Sequence, residues 1–422
     1  MRVGPTLRLV PGVALHMATI LTLNLILSSL SSPTTALVTT TVFYTLATLS
    51  SLAPLLFHRY SQPESLYPSP DRKTWEGVDD ATREWAMATG DPPADTLIAR
   101  HPHLAAAIIS SPHPLATAQD HVDDAPRVMA DLIPHLSWGD DGVRDGQGVY
   151  ERNAGFLGLG LLVALLESFT FPLDASVLVA TGALTGDLER AAQRALDTGV
   201  FIESIMDPER SMEDVAGECL RIRLVHARAR AFVASCPDWN VGPEYVPINQ
   251  ATMAATLVLF CQVSLEASTT MGAVYSRRDR NLYWAWWARI GVLLGIDPRL
   301  IPDSYDAGLE ARNSPMYLER MNPNGESAKL ISRMIAAIHQ LPTLPFDPPV
   351  FAISLRLFWP SSLVAKLDLP PVPVYAWVLW AARFAVYWSV TMLNAVSPVF
   401  QRSHSSTFTP FMRTAYGYPR SP

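Results

Sequence analysis

Two apolar runs open the chain. LRLVPGVALHMATILTLNLILSSL and ALVTTTVFYTLATLSSLAPLLF are separated by a short SSPTT break, and each approaches the roughly 20 residues a bilayer-crossing helix needs. Residues 9–57 hold almost no charge, with Arg2 and Arg8 before them and His58 and Arg59 after. The pattern predicts a transmembrane hairpin over residues 1–60 with both outer ends in the cytosol. A cleaved leader would carry one shorter apolar core. His16, Pro11 and many Thr/Ser residues keep a buried helical pair open as the alternative.

Polar, proline-rich sequence follows, and residues 61–137 read as a linker and helical lead-in with short helical patches such as ATREWAMA and DTLIARHPHLAAAII. From about residue 150 the pattern becomes regular. GFLGLGLLVALLESF is an apolar helix buried all round. LERAAQRALDTGVFIESIM, DVAGECLRIRLVHARARAFVAS, ATMAATLVLFCQVSLEAST, NLYWAWWARIGVLLG and LERMNPNGESAKLISRMIAAIHQL read as further helices. Gly295 stops the fifth of these. No period-two run, βαβ alternation or internal repeat interrupts them, so the predicted class is all-α. Near the C-terminus, YAWVLWAARFAVYWSVTMLNAV combines tryptophans and tyrosines with one charge, Arg383. It reads as a core helix or one lying against lipid, with lipid favoured.

Composition narrows the function classes. The 422 residues carry a net charge of −7, which leaves no nucleic-acid footprint. Cys219, Cys236 and Cys261 form no CxxC pair, and no Asn-x-Ser/Thr sequon occurs, both in keeping with a reducing compartment. GxSxG, HExxH, Walker A and CxxCH are absent, and GFLGLG is no dinucleotide fingerprint. His101, His103, His113, His121 and His135 are broken by Pro102, Pro112 and Pro114, and read as surface or cap histidines rather than a metal cluster.

The candidate chemistry sits in RLVHARAR, residues 223–230. On a helix Arg223, His226 and Arg230 share a face, and Arg228 points elsewhere. Nearby cations favour a neutral imidazole, the form that ligates a metal. Arg194 and Thr198, one turn apart on the preceding helix, are placed to face the same pocket. One histidine among several arginines suits haem, which needs one protein ligand and cations for its propionates, better than a bare metal that needs three or four ligands. The same spacing also describes a solvated basic face with a bystander histidine.

RLVHARAR, then W-x-x-G-P-x-x-x-P-I-N-Q, then WARIGVLLGIDPRLIP, stand in this order. Over roughly residues 138–305 the chain thereby resembles the family of latex clearing protein (bacterial rubber oxygenase) and the fungal ER-bound oxygenase MpaB. The resemblance implies a globin-like helical core binding haem b, within a catalytic domain set at 138–345, and a C-terminal apolar segment over 346–422. It implies His226 as the proximal iron ligand, with Arg223 and Arg230 as the motif's arginines. The family's distal R-x-x-K-T reads R-A-L-D-T here: Arg194 and Thr198 match, and Asp197 replaces the lysine. For the distal carboxylate base of the family, Glu167, Glu189 and Asp197 are the candidates. The implied reaction is O2-dependent cleavage of an isoprenoid C=C bond in a lipophilic prenylated metabolite, by an enzyme at the endoplasmic reticulum membrane with its catalytic domain in the cytosol. Haem-dependent hydroxylation, desaturation or cyclisation, and a non-catalytic haem-binding membrane protein, are the alternatives.

Overall fold

The computed structural model describes residues 79–132, 143–182, 188–237, 239, 245–312, 317, 321–340 and 347–396. The expected transmembrane hairpin, His135 and residues beyond 396 lie outside the described residues. Among those described there are helices and turns and no β-strand.

Helix α1 spans Asp80–Ala88 and is capped by Asp79, whose carboxylate accepts from the Thr82 amide at 2.7 Å. Four short helices follow: α2 (Pro92–Arg100), α3 (Pro102–Ser110), α4 (Pro114–Asp120) and α5 (Pro126–Leu132). Each opens on a proline, which suits a first turn whose amides have no helical acceptor. Of the prolines that break the histidine spacing, Pro102 and Pro114 are therefore helix starters, and Pro112 lies in the bend between α3 and α4. His101, His113 and His121 fall at helix ends and His103 is exposed. No group of three metal-ligating side chains occurs among the described residues.

The larger helices are α6 (Asp145–Ser168), α7 (Pro172–Ala180), α8 (Leu188–Met206), α9 (Met212–Ala234), α10 (Gln250–Thr269) and α11 (Arg277–Leu293). Beyond them come α12 (Tyr305–Arg312), α13 (Gly325–His339), α14 (Pro348–Phe358) and α15 (Val374–Val396). Helix α6 lies against α10 and α11 at the centre of the molecule. Gly160 permits the closest approach, because a Cβ there would collide with the Ser264 carbonyl of α10. Both α6 and α10 are long and apolar enough to cross a membrane, but most of each is buried in protein. Their apolarity belongs to the core.

Two features tie the outer layers to this centre. Leu97, Ile108, Met129 and Leu132 of the short helices form a second core with Leu220, Leu224 and Ala227 of α9. On the other side, the Glu167 carboxylate at the end of α6 accepts from Arg312, Tyr317 and Trp359, each at 2.9 Å. Glu167 is fully buried. All three donors converge on it, so the sequence candidate for a base is instead the anchor of the C-terminal layer. Glu189 is exposed and lines no cavity described here.

Helix α15 divides its apolar residues between two faces. Ala376, Trp380 and Phe384 pack on Val350 and Ile353 of α14. Val374, Tyr375, Val378, Leu379 and Val386 are exposed, Val374 at 81%. The stretch is thus a packed helix that also presents an uncovered apolar side.

Candidate functional site

Helix α9 starts where the Ser211 hydroxyl accepts from the Asp214 amide at 3.0 Å, with Glu213 and Asp214 in its first turn. Both features stabilise a helix N-terminus. At about 100° per residue, one arc of α9 carries Ile222, Val225, Ala229 and Phe232. This arc walls a cavity of about 800 Å³, with α7, α8 and α10 supplying much of the rest. The volume falls within the roughly 300–1,000 Å³ usual for small-molecule and cofactor sites. Phe201, Met253, Leu257, Phe260 and Trp287 make its interior apolar, and His226 is the one histidine in the lining among the described residues.

His226 stands at the border of the cavity arc. Its Nδ1 is buried without a hydrogen-bond partner among the described residues. Burial first, then the Arg230 charge, pushes its pKa down to about 4; Asp91 opposes this and Arg194 adds to it. The imidazole is therefore neutral near pH 7, with its lone pair free to ligate. The sequence argument for a neutral ring holds in direction, but desolvation rather than neighbouring arginine is the main cause.

That shift makes a pH prediction for the cofactor-free protein. The unfolded chain takes up the proton near pH 6.5 and the folded chain only near pH 4. The stabilisation is present above pH 6.5 and is lost as the pH falls toward 4. His226→Gln should remove a part of the acid sensitivity worth up to about 2 kcal/mol. Urea melts at pH 7 and 4.5 check this; identical pH slopes in both proteins would contradict it.

The flanking arginines are not where the sequence placed them. Arg223 and Arg230 turn away from the cavity toward the start of α2. Arg223 makes a two-pronged pair with Asp91, at 2.7 and 2.9 Å. Arg230 bonds Asp95 at 2.8 Å and the Ile248 carbonyl at 2.5 Å, while its Nη2 has no partner among the described residues. Neither lines the cavity. Arg228, expected to point elsewhere, does line it. Its Cα lies at the far edge of the cavity arc, and the long side chain reaches back.

The three motif segments of the sequence assemble behind His226. Asn249 caps α10, its Oδ1 accepting from the Thr252 amide at 2.9 Å. Gln250 donates to the Gly90 and Gly295 carbonyls at 2.7 and 2.9 Å and accepts from the Asp297 amide at 2.8 Å. Gly295 has φ +81°, and a Cβ on it would lie 2.6 Å from Asp91 Oδ2. RLVHARAR, PINQ and GIDP thus meet in one polar seam that fixes the histidine helix.

On α8, Arg194, Asp197 and Thr198 line the same cavity as His226. The Thr198 hydroxyl donates to the Arg194 carbonyl at 3.0 Å, and Asp197 accepts from Gln193 at 2.8 Å. Sequence reasoning missed a second acid, Asp174 at the start of α7. Its Oδ1 accepts from Tyr245 at 3.1 Å and Thr252 at 3.2 Å, and it also lines the cavity. Only the fold brings it there. The donor set is one neutral histidine in an apolar chamber with charged groups along part of its wall. It suits a prosthetic group that takes a single protein ligand better than an ion that needs three or four.

Comparisons with known proteins agree on one lineage. Rubber oxygenase from Streptomyces sp. (strain K30) is 22% identical over 193 residues, covering 40% of this chain and 47% of its own length. The chain thus spans about half the length of that curated relative. The solved structure titled "Structure of Latex Clearing Protein LCP in the closed state" superposes with a TM-score of 0.56 at 20% identity, over 82% of this chain and 93% of the other. That likeness establishes the all-α fold. A family profile described as "ER-bound oxygenase mpaB/B'/Rubber oxygenase, catalytic domain" matches residues 148–422. The chain belongs to this oxygenase family.

Proposed function

We propose that the protein is a membrane-associated, haem b-dependent oxygenase that splits an isoprenoid C=C bond of a lipophilic prenylated compound with O2. The observation that carries the reading is His226: neutral, without a partner at Nδ1, and lining an apolar cavity of about 800 Å³. Haem b bound to His226 would supply dioxygen activation, and alkene plus O2 balances as two carbonyls with no external electrons.

The chain's own residues have three tasks. His226 holds the cofactor. Phe201, Leu257, Phe260 and Trp287 exclude water and grip a hydrocarbon chain. Asp197 and Thr198 on α8, with Arg194 beside them, and Asp174 on α7 are the groups available to hold or move protons along the wall. Membrane association rests on the two uncharged spans within residues 9–57 and on the exposed apolar side of α15. An endoplasmic reticulum location, with the catalytic part in the cytosol, follows from the positive-inside pattern and the family resemblance.

The test is spectroscopic. Full-length protein purified with haem supplied should show a Soret band, and His226→Ala should lose it while keeping the helical circular dichroism. A folded, colourless wild type, or full haem retention in His226→Ala, defeats the proposal. Asp197, standing in the place of the family's lysine, favours a second reading in which the same cofactor hydroxylates, desaturates or cyclises an intact skeleton. Products made under labelled O2 separate the two: paired carbonyl fragments support cleavage, and a modified whole skeleton supports the rival.

A further inference from the structure

Among the described residues the cavity wall carries two guanidinium groups, one from α8 and one from α9, helices that pack side by side. Arg194 and Arg228 are both exposed. Neither side chain has a carboxylate partner among the described residues. This contrasts with Arg223 and Arg230, whose charges are answered by Asp91 and Asp95. The free positive charge of the site therefore sits at its solvent edge, not behind the histidine.

We propose that Arg194 and Arg228 form a carboxylate clamp at the cavity mouth that holds the cofactor's two propionates; this rests on the haem reading above. Haem b carries both acid groups along one edge and only hydrocarbon along the opposite one. Burying the acid edge in the apolar interior would strand two carboxylates at heavy cost. Turning it outward places it in water beside two guanidiniums suited to carboxylate recognition. The hydrocarbon edge then faces Phe260, Leu257 and Trp287. Asp197 lines the same wall, but its Oδ1 accepts from Gln193 at 2.8 Å. Arg194 and His226 line the same cavity, so one ligand can reach both. The clamp thereby fixes which way round the macrocycle sits.

A carboxylate on an isoprenoid acid would meet the same two side chains, so the experiment separates the sources. Haem b and its dimethyl ester are titrated by Soret absorbance into full-length wild type, Arg194→Gln/Arg228→Gln and Arg194→Lys/Arg228→Lys. Wild type should prefer the free acid by about tenfold or more, the glutamine variant should bind both alike, and the lysine variant should keep most of the preference. An unchanged preference in the glutamine variant overturns the clamp and leaves haem binding at His226 standing. Binding of neither porphyrin by wild type overturns the haem reading and the clamp with it. In the third arm, farnesoic acid and methyl farnesoate are added to haem-loaded protein. Loss of discrimination there alone assigns the guanidiniums to substrate and also overturns the proposal.

Discussion

Arg223→Ala is expected to lower the free energy of unfolding by about 3–5 kcal/mol. Asp91 is 2% exposed and Arg223 4%, so the remaining carboxylate cannot recover its hydration by a small movement. Gly295 closes over the pair tightly enough that even a methyl group would touch both partners. Asp91 also caps α2 through its bond to the Ala94 amide at 3.4 Å, and a carboxylate that moves toward water gives that up. Asp91→Asn/Arg223→Met removes both charges and should be less harmful than Arg223→Ala alone. The difference isolates the stranded charge from the value of the pair itself. Chemical denaturation of the three variants measures this; a loss below about 1 kcal/mol for Arg223→Ala would sink the buried-pair account.

Glu167→Ala should be as damaging, again about 3–5 kcal/mol, for a related reason. One fully buried carboxylate satisfies donors from Arg312, Tyr317 and Trp359, which lie 145, 150 and 192 residues further along the chain. The Arg312 guanidinium is 2% exposed and also lies over the Phe358 ring, 5.3 Å from its centre. Removing the acceptor takes a buried carboxylate away from a cation in a dry environment and loosens α12 and the Trp359 segment from α6. Glu167→Gln keeps the shape and should recover only part of the loss. Haem titration of the folded fraction should be unchanged, since Glu167 does not line the cavity. A variant that is fully stable yet without turnover would instead restore Glu167 as a base.

Much of the fold was legible in the pattern. The boundaries of α8 follow the run from Leu188 to Met206, and Gly295 sits just past the end of α11. These are signals with a local physical basis: apolar spacing, and a residue that tolerates φ +81°. Helix α11 starts at Arg277, ahead of the apolar run NLYWAWWARIGVLLG, because the capping box between Ser276 and Asp279 is hidden in the polar stretch SRRDRN. Helix α13 starts at Gly325, later than the pattern predicts, because Asn324 caps it and MNP lies outside the helix.

At the site, His226, Arg194, Asp197 and Thr198 do share one cavity. Helical spacing and a family motif sufficed to group them. Arg223 and Arg230 pair with Asp91 and Asp95 instead, since helical spacing ranks faces but does not say what each face meets. Asp91 is 132 residues from Arg223, and Asp95 is 135 residues from Arg230, so nothing local links either pair. Asp174 failed for the same reason: it belongs to a short apolar helix and becomes part of the site only through contact with Tyr245 and Thr252.

The second core has a practical consequence for anyone cutting this gene. A fragment begun at residue 148, where the family match starts, would lack Asp91, Asp95 and the whole of α2 to α5. Two guanidiniums would lose their counter-ions at once, and Leu220, Leu224 and Ala227 would be bared along the back of the ligand-bearing helix. Homology limits and folding limits do not coincide here; a fragment that keeps these contacts has to reach back at least to Asp91, the cap of α2.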